Sequence, residues 1–217
     1  MIKLDRDGPV WILRMQAGEN RFGLDWMDAV TSALDVVEAS VGPCALVTVG
    51  DGKFYSNGMD LDWLATAPER GSEYLQAIYR LLGRVVGFPV ITVAAVNGHA
   101  FGAGALLSAA HDFAVMREDR GYWCMPEADL GLPLTAEYLS VLSAKLPART
   151  LQEAVMTGRR YGGPDALEAG IVHQVAAEDQ VVPAAVRLAA EMAGKDRRTV
   201  AAHKRLLYGS AIMMLSR

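Results

Sequence analysis

The stretch VNGHAFGAGALLSAAHD, from Val96 to Asp112, is mostly glycine, alanine and other small apolar residues, and its first twelve positions include no serine, cysteine or acid. It continues an apolar run, Val90–Val96, of the kind found in strands that are buried on both faces. Small residues let the backbone turn tightly and let a ligand approach it closely. The stretch therefore predicts either close packing of a helix on a sheet or a backbone site for an anionic oxygen at the start of that helix.

A second glycine turn, KFYSNGMDLDWL from Lys53 to Leu64, also joins the end of a predicted strand to a predicted helix start. If the two turns converge, they aim two N–H donors at one oxygen, which is an oxyanion hole. Neither turn fits the phosphate-loop pattern G-x-x-x-x-G-K-S/T. Asp60 and Asp62 suggest a paired-carboxylate hydrolase, but their place directly after Gly58 is more typical of acids that cap a helix.

Short β-rich runs alternate with longer helical runs along the first part of the chain. Apolar periodicity predicts strands at 10–15, 45–49, 90–96 and 113–116 and helices at 24–39, 72–86 and 103–110. From Thr135 the pattern is mainly helical, with helices predicted at about 135–145, 149–157, 164–169, 181–193 and 197–214. We therefore expect one α/β domain over residues 1–217, with a core of about 1–134 and a helical C-terminal part of about 135–217.

Composition and charge exclude several classes of protein. The net charge of −4 argues against broad nucleic-acid binding, which needs a basic face. Apolar runs stop well short of the ~20 residues that a membrane span needs, and the charged start MIKLDRD is unlike a signal peptide. Cys44, Cys124 and the four histidines lack metal-ligand spacing, so we expect buried thiols in a reducing cytoplasm and no metal site.

Three motifs, in order, resemble those of the enoyl-CoA hydratase/isomerase (crotonase) superfamily, and the resemblance covers nearly the whole chain. KFYSNGMDLDWL resembles the family's first oxyanion segment, and ITVAAVNGHAFGAGALLSAAHDFAV (Ile91–Val115) resembles the second. YWCMPEADLGLP (Tyr122–Pro133) resembles the downstream segment in which a glutamate follows proline. The first segment and GENRF (Gly18–Phe22) are most similar to Δ3,Δ2-enoyl-CoA isomerase-like members.

The resemblance implies a fold, an assembly and a set of ligand contacts. The fold is a spiral of ββα units with a helical C-terminal region, and the assembly is a trimer or a pair of trimers. The oxyanion-hole donors are the amides of Met59 and Ala103. An acyl-CoA thioester substrate, with no separate cofactor, is expected to contact a larger set of residues: Ser56, Gly58, Asp60, Leu61, Gly102 and Leu106.

Of the two glutamates that the family's hydratases use, the resemblance implies that this sequence has one. Hydratases of the family use two glutamates; the second corresponds to Glu127, whereas the first is replaced by Leu106, which cannot hold a water molecule. One carboxylate suits a proton shuttle, so the resemblance implies an isomerase of fatty acid metabolism that converts 3-enoyl-CoA to 2-enoyl-CoA. Apolar neighbours such as Met125 are expected to raise the pKa of Glu127 toward neutrality. A hydratase, a dehydratase, a thioester hydrolase and a non-catalytic CoA-thioester-binding protein stay open.

Two further assignments stay open from the sequence. Lys204 and Arg205, in the last predicted helix, either meet a CoA phosphate or are ordinary solvated surface cations. Trp63, Leu64 and Phe88 either line an acyl pocket or pack in the core.

Overall fold

Two sheets, one mostly parallel and one parallel, and ten α-helices make up the computed structural model, which describes residues 1–216. The strands are β1 Ile2–Asp7, β2 Val10–Met15, β3 Ala45–Val49, β4 Phe54–Ser56, β5 Ile91–Val96, β6 His99–Phe101, β7 Phe113–Arg117, β8 Trp123–Cys124 and β9 Gln174–Ala176. The helices are α1 Leu24–Ala39, α2 Leu61–Thr66, α3 Gly71–Val86, α4 Ala103–Ala110, α5 Glu127–Leu130, α6 Ala136–Lys145, α7 Ala148–Thr157, α8 Gly163–Glu168, α9 Val181–Met192 and α10 Arg197–Leu215.

The large sheet has the strand order β1-β2-β3-β5-β7-β9 and is parallel except for the β1–β2 hairpin. Its central strands β3 and β5 are apolar runs without alternation, as expected for strands covered on both faces. Helix α9 packs on one face through small residues such as Ala185 and Ala189. The core on the other face includes residues of α1, α3 and α4.

The small sheet has the order β4-β6-β8 and holds the two glycine turns side by side. Each of its strands follows a strand of the large sheet after a short loop, so the chain leaves one sheet and enters the other three times. Strand β4 ends at Ser56, two residues before Gly58, and strand β6 ends at Phe101, directly before Gly102. The carboxyl ends of two neighbouring parallel strands therefore bring both turns to one edge.

The long elements predicted from apolar periodicity are confirmed, including the strands at 10–15 and 45–49 and the helix at 24–39. The predicted helical C-terminal region also contains strand β9, which extends the large sheet beside β7. Strands β4, β6 and β8 were not predicted, because two or three residues are too few to display a period of two. No helix among residues 1–216 is long and apolar enough to cross a membrane.

Helix α10 is fastened to the core by a buried ion pair, which settles the open assignment of Lys204. The side chain of Lys204 is 4% exposed; its Nζ lies 2.6 Å from the carboxylate of Asp112 and donates to the carbonyl of Val90 at 2.8 Å. Lys204 is therefore a core residue and is not available to a CoA phosphate in this chain. Arg205, the next residue, is exposed.

Candidate functional site

The two glycine turns are in direct contact. Gly58 has φ +78°, and a Cβ at this position would lie 2.6 Å from the carbonyl oxygen of Phe101 and 2.9 Å from the amide nitrogen of Ala103. A residue with a side chain would be strained by this backbone conformation and would push the turns apart. Glycine at position 58 is what allows the first turn to lie against the start of α4.

The hydrogen bonds of the first turn use every backbone amide from Asn57 to Asp60 except one. The amide of Asn57 donates to Glu19 O, that of Gly58 to Ser56 Oγ, and that of Asp60 to the hydroxyl of Tyr74. Within residues 1–216, the amide of Met59 has no acceptor. It is the free donor that a bare backbone site requires.

The direction of this amide is fixed from the opposite side. The amide of Phe22 donates to Gly58 O at 2.8 Å, and Phe22 is fully buried. In a trans peptide the C=O and the following N–H point in opposite directions, so the N–H of Met59 points away from Phe22. The segment GENRF, which ends at Phe22, thus supports the first turn through its backbone.

The second turn supplies another free amide. Gly102 has φ +52° and precedes α4, whose first residue is Ala103. The first amides of a helix have no partner inside the helix, and none of residues 1–216 accepts a hydrogen bond from the amide of Ala103. The amide of Leu106 is already used, because it donates to Gly102 O.

Glu127 lies on the same side of the second turn. It follows Pro126 as the first residue of α5, and its Oε1 lies 3.3 Å from where a Cβ on Gly102 would be. Its Oε2 is buried and has no hydrogen-bond partner among residues 1–216. Burial raises the pKa of Glu127 because the charged carboxylate is poorly solvated there. The prediction of a raised pKa for this acid is confirmed in direction.

These groups line one pocket of about 340 Å³. Its wall includes five residues named from the sequence: Met59, Leu61, Gly102, Ala103 and Glu127. Its other lining residues were not singled out as ligand contacts: Arg21, Asn57, Asp62, Phe101, Cys124, Pro126, Leu130, Leu132 and Arg160. Apolar carbon and backbone make up much of this wall, as in small-molecule sites generally.

Four other predicted contacts are not among the residues that line this pocket. Ser56 is fully buried, and its hydroxyl donates to Asn20 O, so it braces the turn from inside. Leu106 is fully buried in the main core and does not line the pocket, because it lies one turn into the buried helix α4. Gly58 packs against the second turn, and Asp60 caps α2 by accepting a hydrogen bond from the Trp63 amide.

The capping interpretation of Asp60 and Asp62 is therefore the better one. Asp62 lies in the first turn of α2 and pairs with Arg21, which also lies 3.6 Å from Asp60 and 2.6 Å from Glu19. The hydrogen bonds to Asp62 and Glu19 raise the pKa of Arg21. Arg21 is thus neutralised by carboxylates at one part of the pocket wall.

Arg160 is the contrasting cation of the pocket. It forms no ion pair with any residue in the range 1–216, and its guanidinium lies 5.9 Å from the ring centre of Phe101. No sequence motif pointed to it, because it lies far along the chain from both glycine turns. The part of the chain that the structure describes contains no group of three or more side chains placed to hold a metal ion.

The fold is the crotonase fold: the chain matches the crystal structure of a probable enoyl-CoA hydratase from Mycobacterium tuberculosis with a TM-score of 0.92. The two chains are 25% identical, and the match covers 99% of this chain and 91% of the other. The sequence model of the enoyl-CoA hydratase/isomerase family matches residues 9–213. The chain therefore belongs to the enoyl-CoA hydratase/isomerase family, whose members act on acyl-CoA thioesters.

Two proteins that are similar in sequence to this chain are named for different reactions. The peroxisomal enoyl-CoA delta isomerase 2 of Arabidopsis thaliana is 33% identical over 206 residues, covering 90% of this chain and 86% of the relative. A carnitinyl-CoA dehydratase of Salmonella paratyphi A is 32% identical over 169 residues, covering 78% of this chain and 64% of the relative. The resemblance inferred from the three motifs is confirmed at the level of the family.

Proposed function

We propose that this protein is a Δ3,Δ2-enoyl-CoA isomerase that uses Glu127 as its only proton carrier. The observation that carries the proposal is the set of unpartnered polar groups around one pocket: the amides of Met59 and Ala103 and the Oε2 atom of Glu127. Buried polar groups are normally paired, so a cluster of unpaired ones favours a ligand that completes them. The similarity to enoyl-CoA delta isomerases supports the same reaction.

The proposed reaction moves one proton over two carbons. The Glu127 carboxylate removes a proton from C2 of a 3-enoyl thioester, and the electron pair spreads over a dienolate. The amides of Met59 and Ala103 donate to the thioester oxygen while it carries negative charge; one such donor contributes ~3–4 kcal/mol. The protonated Glu127 then delivers its proton to C4, which leaves the double bond between C2 and C3.

The burial of Glu127 suits both halves of this shuttle. A raised pKa makes the carboxylate a stronger base toward C2 and keeps the returned proton available until C4 accepts it. The rate depends on pH, because only ionised Glu127 can remove the proton that starts the reaction. We expect kcat/KM to rise with pH, with its acid limb above the ordinary glutamate pKa of 4.5.

The test is an assay with 3-enoyl-CoA in which the conjugated 2-enoyl product is followed by its ultraviolet absorbance. Glu127→Gln keeps the side-chain shape and removes the base, so we expect activity to fall by about 10²–10⁴-fold. The matched control is Asp129→Asn, an exposed acid on the same short helix α5, which should keep wild-type activity. Isomerisation that survives Glu127→Gln would remove Glu127 from the mechanism.

A hydration or dehydration reaction is the second candidate, and the dehydratase relative supports it. Such a reaction needs a group that holds water, and the other acid in the pocket wall is Asp62. Asp62 is paired with Arg21 and its side chain is 86% exposed, which favours a capping role over activation of water. Formation of 3-hydroxyacyl-CoA from 2-enoyl-CoA at a rate matching isomerisation would favour this candidate.

The same assays separate the remaining alternatives. Release of free CoA would indicate a thioester hydrolase, and binding without any turnover would indicate a CoA-thioester-binding protein. A trimeric or hexameric assembly and a cytoplasmic location stay predictions. Sedimentation equilibrium tests the first, and fractionation of cells tests the second.

A further inference from the structure

We infer that two buried tyrosines, Tyr74 and Tyr138, are positioning residues that hold Met59 in the orientation in which its amide meets the thioester oxygen. The inference rests on the proposed function, since it concerns one of the two proposed oxyanion donors. Neither tyrosine lines the pocket, so both act through Met59 and its neighbour Asp60. We call them the tyrosine pair.

Tyr74 fixes the peptide that follows Met59. Its hydroxyl, brought from α3, accepts a hydrogen bond from the amide of Asp60 at 2.7 Å, and the residue is fully buried. The peptide that precedes Met59 is held by Phe22, through Gly58 O. Met59 therefore lies between two peptide planes that are each anchored to the core, and its own amide is the one left free.

Tyr138 fixes the side chain of Met59. Its hydroxyl, brought from α6, donates to Met59 Sδ at 3.6 Å. A thioether sulfur is a weak acceptor, yet it is the only hydrogen-bond partner of this buried hydroxyl within residues 1–216. A buried hydroxyl is normally given a stronger partner, so the contact points to a role in placing Met59 at the pocket wall.

A third tyrosine in the same cluster contacts Tyr138 through its ring and not through its hydroxyl. Tyr79 packs edge-on against it, with ring centres 5.4 Å apart and an interplanar angle of 86°. The Tyr79 hydroxyl donates to Thr135 Oγ1, which caps α6 by accepting from the amide of Tyr138. Tyr79 makes no hydrogen bond to the first glycine turn, so it is a matched control in the same cluster.

Removing the Tyr74 hydroxyl releases the amide of Asp60 into the turn. That amide would lose its acceptor, and rotation of the peptide between Met59 and Asp60 would let it find another. Rotation moves the adjoining Met59 amide off the position of the developing negative charge. Small misplacements of this kind reduce the rate of the chemical step while ground-state binding changes little.

The first experiment compares Tyr74→Phe, Tyr138→Phe and Tyr79→Phe, each of which deletes one hydroxyl and keeps the ring. We expect Tyr74→Phe to lower kcat for 3-enoyl-CoA by about ten-fold or more, with KM changed less than about two-fold. Tyr138→Phe should have a smaller effect of the same kind, and Tyr79→Phe should leave kcat unchanged. Equal losses in all three variants, or a rise in KM alone, would overturn the positioning role.

A second readout does not depend on isomerisation. Butanoyl-CoA, isotope-labelled at its carbonyl carbon, has no double bond to shift, and its infrared carbonyl band moves to lower frequency when amides donate to the thioester oxygen. We expect that shift in wild type and Tyr79→Phe and a smaller shift in Tyr74→Phe. A wild-type shift that Tyr74→Phe retains in full refutes the tyrosine pair while leaving the oxyanion hole intact.

The two readouts distinguish the failure of this inference from the failure of the proposed function. If the wild-type protein shifts the carbonyl band, Tyr74→Phe reduces that shift and 3-enoyl-CoA is not isomerised, the oxyanion hole and the tyrosine pair stand and only the assigned reaction fails. A wild-type protein that gives no carbonyl shift has no oxyanion hole at Met59, and the tyrosine pair then has no such role.

Discussion

The polar groups near the two ends of helix α4 differ in whether they have hydrogen-bond partners. At its N-terminal end, the amides of Met59 and Ala103 and the Oε2 atom of Glu127 have no partner within residues 1–216. At its C-terminal end, His111 and Asp112 form complete networks with their neighbours. An unpaired buried polar group costs free energy, so the Oε2 atom of Glu127 lowers the stability of the fold, whereas the paired groups at the second end stabilise it.

The network around His111 shows how complete that second end is. Tyr55 O–H donates to Thr48 Oγ1, the Thr48 hydroxyl donates to His111 Nε2, and His111 Nδ1–H donates to Leu107 O. This assignment of protons, which follows from the acceptor at Leu107, uses each donor once. It holds only while His111 is neutral, because a proton on Nε2 would displace the hydrogen of Thr48.

The largest expected effect is a loss of stability when the ion pair at the C-terminal end of α4 is removed. Lys204→Met keeps the length of the side chain but leaves the Asp112 carboxylate, 11% exposed, without its cation. Loss of one partner of a buried pair costs about 3–5 kcal/mol, which lowers Tm by roughly 10 °C in a chain of this size. Thermal unfolding measures the loss, and exposed Lys195→Met is the control that should leave Tm unchanged.

The activity of Lys204→Met tests whether the two ends of α4 are independent of each other. Since Lys204 is tied to Asp112 and Val90 and not to the pocket, Lys204→Met should keep wild-type kcat at temperatures where it is folded. A destabilised variant that also lost the chemical step would show that the two ends of α4 are coupled. The reading of Lys204 as a purely structural residue would then be wrong.

A smaller change in stability is expected when His111, at the same end of α4, is protonated. Burial lowers the pKa of His111 to about 4, from an ordinary value of 6.5. Between these values the unfolded chain binds a proton that the folded chain does not, so the free energy of unfolding falls as pH drops from about 6.5 to 4. The loss from His111 alone is on the order of 3 kcal/mol.

Urea unfolding at a series of pH values measures this slope. His111→Gln should be less stable at neutral pH, because Gln cannot reproduce both hydrogen bonds, but its stability should depend less on pH in this window. His203→Gln, at an exposed position on α10, should keep the wild-type slope. An unchanged slope in His111→Gln would show that His111 does not titrate on unfolding as proposed.

The sequence specified these two ends unequally. The glycine turns were recognisable because a backbone site requires particular small residues, and Glu127 was recognisable because Tyr122–Pro133 resembles a motif of the family. The network of His111, Asp112 and Lys204 was not recognisable, because its members come from helices and strands that only the tertiary fold brings together. Ser56 and Leu106 were assigned to the pocket for a related reason: a motif gives position along the chain but not the direction of a side chain.

The smallest expected effect is a gain in stability at the unpaired end. Burial raises the pKa of Glu127, so between its ordinary value of 4.5 and the raised value the folded chain binds more protons than the unfolded chain. The free energy of unfolding therefore falls as pH rises through that window, and at neutral pH the ionised carboxylate destabilises the fold.

Glu127→Gln removes this destabilising charge, so we expect the free energy of unfolding to rise by on the order of 1 kcal/mol at neutral pH. The gain should shrink toward pH 4.5, where the native carboxyl is already protonated, and Asp129→Asn should show no such trend. A loss of stability in Glu127→Gln at neutral pH would mean that the carboxylate is stabilised by its surroundings, which contradicts the unpaired Oε2 atom and the contrast between the two ends of α4.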